Sequence, residues 1–113
     1  MIVEATNYYA RPGMAAAVLE RRREGSRLRQ RLGLPEGSIF VNRGGPGPDV
    51  RWECRFADET AFQADLAARD ASPEFAAQRR DMGALTERFE RHVFHLDTSD
   101  LRARRALHDS IED

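Results

Sequence analysis

The alternation of apolar and polar residues along the chain predicts four β-strands. The clearest is residues 49–57, in which four apolar side chains alternate with three charged ones: Val50, Trp52, Cys54 and Phe56 against Arg51, Glu53 and Arg55. A strand with this period of two is expected to turn its apolar side to the core and its charged side away from it. Residues 2–9, 38–43 and about 88–96 are also predicted as strands, since they are rich in β-branched and aromatic types.

Apolar residues at helical spacing predict helices between these strands. One helix is predicted over residues 14–32. Its end is indicated by Gly33 and Pro35, which are typical stop signals. A second helix is expected to begin after Asp58, which is a good N-cap residue. The Ser72-Pro73 pair interrupts it and starts a new helix, since serine caps well and proline fits the first helical position.

The resulting order, β-α-β-β-α-β, predicts an α+β protein with the ferredoxin-like fold. This fold is a four-stranded antiparallel sheet with its helices on one face. We predict one such domain over residues 1–97, followed by an amphipathic helical tail over 98–113. The alternation of the first strand leads us to expect Glu4, Thr6 and Tyr8 on the open face of the sheet, together with Arg51.

Composition is that of a small soluble domain. The chain has 113 residues, of which 41% are hydrophobic, and no apolar run is long enough to span a membrane. The first residues do not have the pattern of a signal peptide. Cys54 is the only cysteine, so an internal disulfide and a cysteine-built metal site are excluded. We therefore expect a cytoplasmic protein without membrane contact.

Charge is segregated along the chain although the net charge is only −1. All basic residues are arginines, and they are in excess over residues 13–32, whereas acids are in excess over 58–90. A basic helix could bind nucleic acid. The opposite balances favour instead a basic and an acidic helix packed side by side, so no nucleic-acid partner is expected. RNA-recognition modules share the order of elements, but the third strand has charged residues where they carry aromatic ones.

The open face of the predicted sheet is the candidate site. His92, Tyr8 and Glu53 are candidate catalytic residues, because an imidazole or carboxylate can move a proton and a phenol can donate to an oxyanion. Four further residues are candidates for binding a carboxylate or enolate substrate: Glu4, Asn42, Arg51 and Arg55. The alternative is a structural lattice of ion pairs in a dimer interface.

Metal, phosphate and thiol sites are not expected. His92 and His95 are three residues apart on a strand, so they face opposite sides and cannot easily share a metal ion. The glycine-rich loop 44–49 precedes a strand and matches no phosphate-binding pattern. Cys54 and Trp52 are expected to be core residues. No cofactor is predicted.

Several short segments resemble a known family. Residues 4–13 (EATNYYARPG) are similar to the opening of NIPSNAP-type proteins, and so are the Trp52 strand, the Asp58-Glu59 helix start and the segment 72–75 (SPEF). These segments also resemble the wider superfamily of dimeric α+β barrels, which includes antibiotic-biosynthesis-type monooxygenases and polyketide cyclases. The likeness covers about residues 2–96.

This resemblance implies a homodimer whose two sheets face each other as a barrel, with a pocket in the barrel or between sheet and helices. The monooxygenases typically carry a tryptophan before the second helix and a histidine three residues before a Ser-Pro pair. Phe56 and Arg69 stand at those positions here. Asn7 resembles an active-site asparagine of haem-degrading members, but the predicted alternation points it away from Arg51.

Two main hypotheses about function remain open. The first is a cofactor-independent enzyme, of the cyclase, isomerase or monooxygenase type, acting on a small organic molecule. The second is a non-catalytic ligand-binding or protein-interaction module of the NIPSNAP type. A third, nucleic-acid binding through the arginines of residues 21–31, predicts strong dependence on salt.

Overall fold

A computed structural model describes residues 1–99 of the chain. Its elements follow in the order β1 (Ile2–Ala10), α1 (Ala15–Arg31), β2 (Ser38–Val41), β3 (Val50–Phe56), α2 (Glu59–Asp70), α3 (Pro73–Leu85) and β4 (Thr86–His95). All predicted strands and helices of this region are present, with boundaries within about two residues. The predicted tail helix falls on residues outside the described part.

The four strands form one antiparallel sheet in the order β2-β3-β1-β4. Its two central strands are β1 and β3, and the helices pack on one of its faces. This arrangement confirms the α+β class and the ferredoxin-like fold. Strand β4 follows α3 without an intervening loop, so this edge strand begins directly where α3 ends.

Side-chain capping explains where α2 and α3 begin. The side chain of Asp58 accepts a hydrogen bond of 2.8 Å from the Ala61 amide at the start of α2. Ser72 does the same for the Phe75 amide at the start of α3, at 3.3 Å, and Pro73 occupies the first turn. These contacts satisfy backbone donors that the helix itself leaves unpaired.

The core lies between the sheet and the helices. All four apolar residues of β3 are buried there: Val50, Trp52, Cys54 and Phe56. Val18 of α1, Phe62 of α2 and Met82 of α3 belong to the same apolar cluster. The predicted orientation of β3 is therefore confirmed.

The predicted orientation of β1 is wrong. Directly opposite residues of antiparallel strands share a face, and the register pairs Glu4 with Cys54, Thr6 with Trp52 and Tyr8 with Val50. The Glu4, Thr6 and Tyr8 side chains therefore point toward the helices, and all three residues are buried. Glu4 tolerates this position because arginines distant in sequence pair with its carboxylate.

Candidate ligand-binding site

A cavity of about 440 Å³ lies between the sheet and the helices. This volume is within the range of pockets that hold small organic ligands. Its apolar wall consists of five side chains: Trp52, Leu66, Phe75, Met82 and Phe89. Polar groups enter from both layers, chiefly Glu4 and Tyr8 from β1 and a set of arginines from the helices and β4.

Glu4 is the most buried carboxylate at the cavity, with 1% of its surface exposed. Arg69 donates to both of its oxygens at 2.7 and 3.1 Å, and Arg91 donates to Oε2 at 2.5 Å. Burial alone raises the pKa of Glu4, but the hydrogen bonds and charges of Arg69 and Arg91 outweigh it, so the pKa lies below its ordinary value. Glu4 is therefore an ionised structural partner.

A second buried carboxylate, Asp65, joins this group to α1. Arg29 Nη2 donates to Asp65 Oδ1 at 2.6 Å, and Arg69 Nε lies 2.9 Å from Asp65 Oδ2. Arg29 also donates through Nε to the Pro35 carbonyl at 2.5 Å. The four groups Glu4, Arg69, Asp65 and Arg29 form one buried ionic chain that ties β1, α2 and α1 together.

Arg22 enters the cavity from α1 and is only 8% exposed. Its Nη1 donates to the Tyr8 hydroxyl at 3.1 Å, and its guanidinium carbon lies 4.9 Å from the centre of the Trp52 ring. The guanidinium occupies space that a side chain at Gly25 would take, since a Cβ built there lies 2.6 Å from Arg22 Nη2. Gly25 thus leaves room for the Arg22 head group.

Positive charge exceeds negative charge at the cavity. Its lining includes five arginines, at positions 22, 29, 69, 79 and 91, and two carboxylates, Glu4 and Asp70. Counting Asp65, which pairs behind the wall, there are five positive and three negative groups. Among the described residues no carboxylate pairs with Arg22, whereas each of the other four arginines has a carboxylate partner.

The open face of the sheet brings together only some of the predicted site residues. Arg51 Nε donates to Glu53 Oε2 at 2.8 Å, and Arg51 Nη1 donates to Asn7 Oδ1 at 3.1 Å. Asn7 therefore points toward Arg51, and the predicted opposite orientation is wrong. Arg55 is exposed on the same face, opposite Val3.

The remaining predicted residues are separated from this cluster. His92 stacks on Phe94 with a ring separation of 5.8 Å, and Ala5 of β1 stands between His92 and Glu53 in the register. Two strand spacings, roughly 10 Å, separate those two backbones. The Asn42 side chain binds its own loop, accepting from the Gly44 amide at 2.6 Å.

The structure thus divides the predicted site between two faces. Glu4 and Tyr8 lie at the cavity, while Arg51, Glu53, Arg55 and His92 lie on the open face. Arg22, Arg29, Asp65 and Arg69 were missed as site residues. A signal for them exists: Val18, Arg22, Gly25 and Arg29 follow helical spacing, as do Phe62, Asp65, Leu66 and Arg69, so the charged members lie on the buried stripe.

The arginine-rich segment of α1 is largely paired within the fold. Its exposed members meet carboxylates of α1 itself or of α3; Arg21 lies 3.7 Å from Asp81 and Arg31 lies 3.7 Å from Glu74. Helix α3 has two acids and two arginines, so α1 packs beside a helix of balanced charge and the predicted packing against an acidic helix holds only for these individual ion pairs. The absence of a nucleic-acid partner stays a prediction.

Residues 1–99 contain two histidines and one cysteine, which are side-chain types that bind metal ions or react as nucleophiles. His92 and His95 face opposite sides, as predicted, since their β1 partners are Ala5 and Ile2. No cluster of three metal-ligating side chains occurs in this part of the chain. Cys54 is buried, and burial raises the pKa of its thiol. None of the described helices is both long and apolar enough to cross a membrane.

Comparison with known proteins places this geometry among solved structures. No protein-family model matches the sequence, and no curated protein matches it significantly. An uncharacterised NIPSNAP domain protein from Burkholderia xenovorans has a similar structure, with a TM-score of 0.69 and 16% identity over 88% of this chain and 97% of that one. This chain has the fold of the NIPSNAP domain proteins.

The same fold occurs in two other groups. An antibiotic biosynthesis monooxygenase matches with a TM-score of 0.66 and 16% identity, over 86% of this chain and 99% of that one. A dimeric protein of unknown function with a ferredoxin-like fold, from Bacteroides fragilis, matches with a TM-score of 0.64 and 12% identity, over 84% and 95%. The predicted likeness to NIPSNAP proteins and their monooxygenase-related superfamily is thus confirmed at the level of fold.

Proposed function

We propose that the protein binds a small, mainly apolar organic molecule in the cavity between its sheet and helices. The observation that carries the proposal is the cavity itself, about 440 Å³ with an aromatic and aliphatic wall and a few convergent polar groups. This combination is typical of ligand pockets. An apolar molecule of suitable size gains free energy there by leaving water.

The charged groups favour binding over proton transfer. A general base must be free to take a proton, but Glu4 is held ionised by two arginines that already bond to both of its oxygens. His92, the predicted proton carrier, lies on the opposite face of the sheet. The non-catalytic ligand-binding reading is therefore better supported than the enzyme reading. Tyr8 keeps catalysis as the second candidate, because its hydroxyl at the cavity can donate to an oxyanion.

The test uses N-phenyl-1-naphthylamine, a neutral probe that fluoresces in apolar pockets. We expect saturable binding to the wild-type chain and a loss of at least tenfold in affinity in Gly83→Phe. Gly83 borders the cavity on α3, and a Cβ built there meets no atom within 4 Å, so the helix can accept the larger side chain.

The matched control for this test is Ala84→Phe. Ala84 is the next residue of the same helix; it is exposed and does not line the cavity. The probe should bind to Ala84→Phe as tightly as to the wild-type chain. Absence of saturable binding to the wild-type chain, or equal binding to Gly83→Phe and Ala84→Phe, contradicts the proposal.

We also propose that the chain is a homodimer that pairs through its open sheet face. A dimeric protein of the same fold supports this, and so do the half-exposed Phe40 and Phe94 on that face. In analytical ultracentrifugation, Phe40→Glu should shift the dimer toward monomer. Val41→Glu, which changes an exposed neighbour on the opposite face, should not. Equal behaviour of the two variants, or a monomeric wild type, contradicts the proposed interface.

A further inference from the structure

We infer that the ligand of the cavity is an organic anion, such as an aromatic carboxylate, whose charged group binds to Arg22 and Tyr8. This inference rests on the proposed function, because it assumes that the cavity is a binding site. It adds the chemical class of the ligand and the residues that recognise it.

Arg22 is a buried charge at the cavity that lacks a carboxylate partner among the described residues. Arg22 is more than nine-tenths buried, yet no carboxylate of residues 1–99 pairs with it, and its Nε has no hydrogen-bond partner. Burying an unpaired charge is costly. The neighbouring buried arginines, Arg29 and Arg69, each have a carboxylate partner. Arg22 is the exception, and an anion in the cavity would supply the partner that the chain does not.

The surroundings of Arg22 position its guanidinium group without neutralising the charge. The Trp52 ring attracts the guanidinium through its π-face but carries no net charge. Gly25 provides the space in which the guanidinium lies. The result is a positioned cation whose flat, forked donors match the two oxygens of a carboxylate.

The hydrogen bond between Arg22 and Tyr8 can run in only one direction. A guanidinium can only donate, so the Tyr8 oxygen accepts from Arg22. The hydroxyl proton of Tyr8 is then available for another acceptor, and Tyr8 lines the cavity. Arg22 and Tyr8 therefore present donors to the same region, which is the arrangement that an anionic oxygen requires.

The remaining walls identify the body of the ligand. Five apolar side chains line the same cavity: Trp52, Leu66, Phe75, Met82 and Phe89. A hydrated inorganic anion gains nothing from such a wall, whereas a flat hydrocarbon body gains by burial. An organic acid with an apolar or aromatic body satisfies both parts of the site.

The experiment measures displacement of N-phenyl-1-naphthylamine by two matched competitors, 2-naphthoate and 2-naphthamide. They share one ring system and differ in that only the first is charged. We expect 2-naphthoate to displace the probe at a concentration about tenfold lower or more, which corresponds to ~1.4 kcal/mol. Inorganic phosphate is a third competitor and should be much weaker than 2-naphthoate.

Variants assign this preference to the proposed residues. Arg22→Met removes the charge but keeps an unbranched apolar stem, and among residues 1–99 it breaks no ion pair and one side-chain hydrogen bond, to Tyr8. It should abolish the preference for the carboxylate while the probe still binds. Tyr8→Phe should reduce the preference. Arg80→Met is the control, because Arg80 is exposed on α3 outside the cavity. This variant should prefer 2-naphthoate over 2-naphthamide as strongly as the wild type does.

The outcomes separate this inference from the proposed function. If the probe binds wild type but the two competitors displace it equally, the anionic class is wrong. If the preference for 2-naphthoate survives in Arg22→Met, the assignment of the anion to Arg22 is wrong. In both cases the cavity remains a binding site. Displacement by phosphate as strong as that by 2-naphthoate overturns the organic class. If calorimetry shows that neither the probe nor 2-naphthoate binds wild type, both proposals are wrong.

Discussion

Replacing Glu4 by glutamine tests the central energetic claim about this fold, namely that a buried ionic chain holds β1 to α2. The substitution preserves shape but removes the negative charge. It also turns an amide NH2 toward arginine nitrogens, which are donors only. Arg69 would then keep only Asp65 as a partner, while remaining buried.

The size of the effect follows from the exposure of each partner. Removing one member of a buried ion pair typically costs about 3–5 kcal/mol. Arg91 has a side chain that is 42% exposed and can return to water, and Arg69 retains Asp65, so we expect the lower end, about 3 kcal/mol. This is a large share of the roughly 5–15 kcal/mol that stabilises a typical domain.

Urea unfolding followed by far-ultraviolet circular dichroism measures this difference. With a typical dependence of about 1.5 kcal/mol per molar urea, the midpoint should fall by about 2 M. Wild type and variant must be compared at one protein concentration, because a dimer gains stability by mass action. Glu24→Gln is the matched control, since Glu24 is exposed and its partner Arg27 also pairs with Glu20.

A double-mutant cycle sharpens the test. Adding Arg69→Met to Glu4→Gln should recover part of the lost stability, because it removes the buried cation that has lost one of its two carboxylate partners. If Glu4→Gln unfolds at the same urea concentration as Glu24→Gln, or if the cycle shows no coupling between Glu4 and Arg69, the ionic chain does not carry the stability assigned to it.

The titration of Glu4, a glycine with positive φ and a helix cap give three further predictions. The folded-state pKa of Glu4 lies below its ordinary value of 4.5, so the ionised carboxylate stabilises the fold above that pH. The difference in unfolding free energy between wild type and Glu4→Gln should therefore shrink as the pH falls through the lowered pKa. A difference that stays constant with pH would contradict this prediction. Gly37→Ala should lower the free energy of urea unfolding by about 2 kcal/mol or more, because φ is +74° and the new Cβ would lie 2.6 Å from the Glu53 carbonyl oxygen. Gly33→Ala should cost only about 1 kcal/mol, because φ is similar at +73° but the new Cβ would meet open space. Asp58→Ala should cost about 1 kcal/mol through loss of the α2 cap, and an unchanged urea midpoint would contradict that.

The sequence was sufficient for the fold because its local signals agree. The alternation around Trp52 has large apolar residues on one side and charges on the other, so only one orientation of β3 buries the apolar side. Ser72 and Pro73 identify a helix start by capping chemistry alone. Such signals act within a few residues, and they are therefore visible without knowledge of tertiary contacts.

The site was not predictable in the same way, because its decisive contacts are distant in sequence. In β1 the two alternating sets are similarly mixed in polarity, so hydropathy does not decide which side is buried. Glu4 is acceptable in the core only because Arg69, 65 residues later, reaches its carboxylate. Arg22 and Arg29 were predicted only as members of a basic helix, although their spacing from Val18 places them on the buried stripe of α1. Charged residues at buried positions of a helix indicate a buried ionic network. In this chain that pattern marks the helix faces that lie at the cavity.

Trp52 gives the molecule a built-in optical reporter. It is the only tryptophan of the chain, its indole nitrogen donates to the Glu36 carbonyl at 2.9 Å, and its ring contacts Arg22 at the cavity wall. The intrinsic emission therefore arises from one position, and changes in its colour and intensity track the state of the pocket in the unlabelled protein.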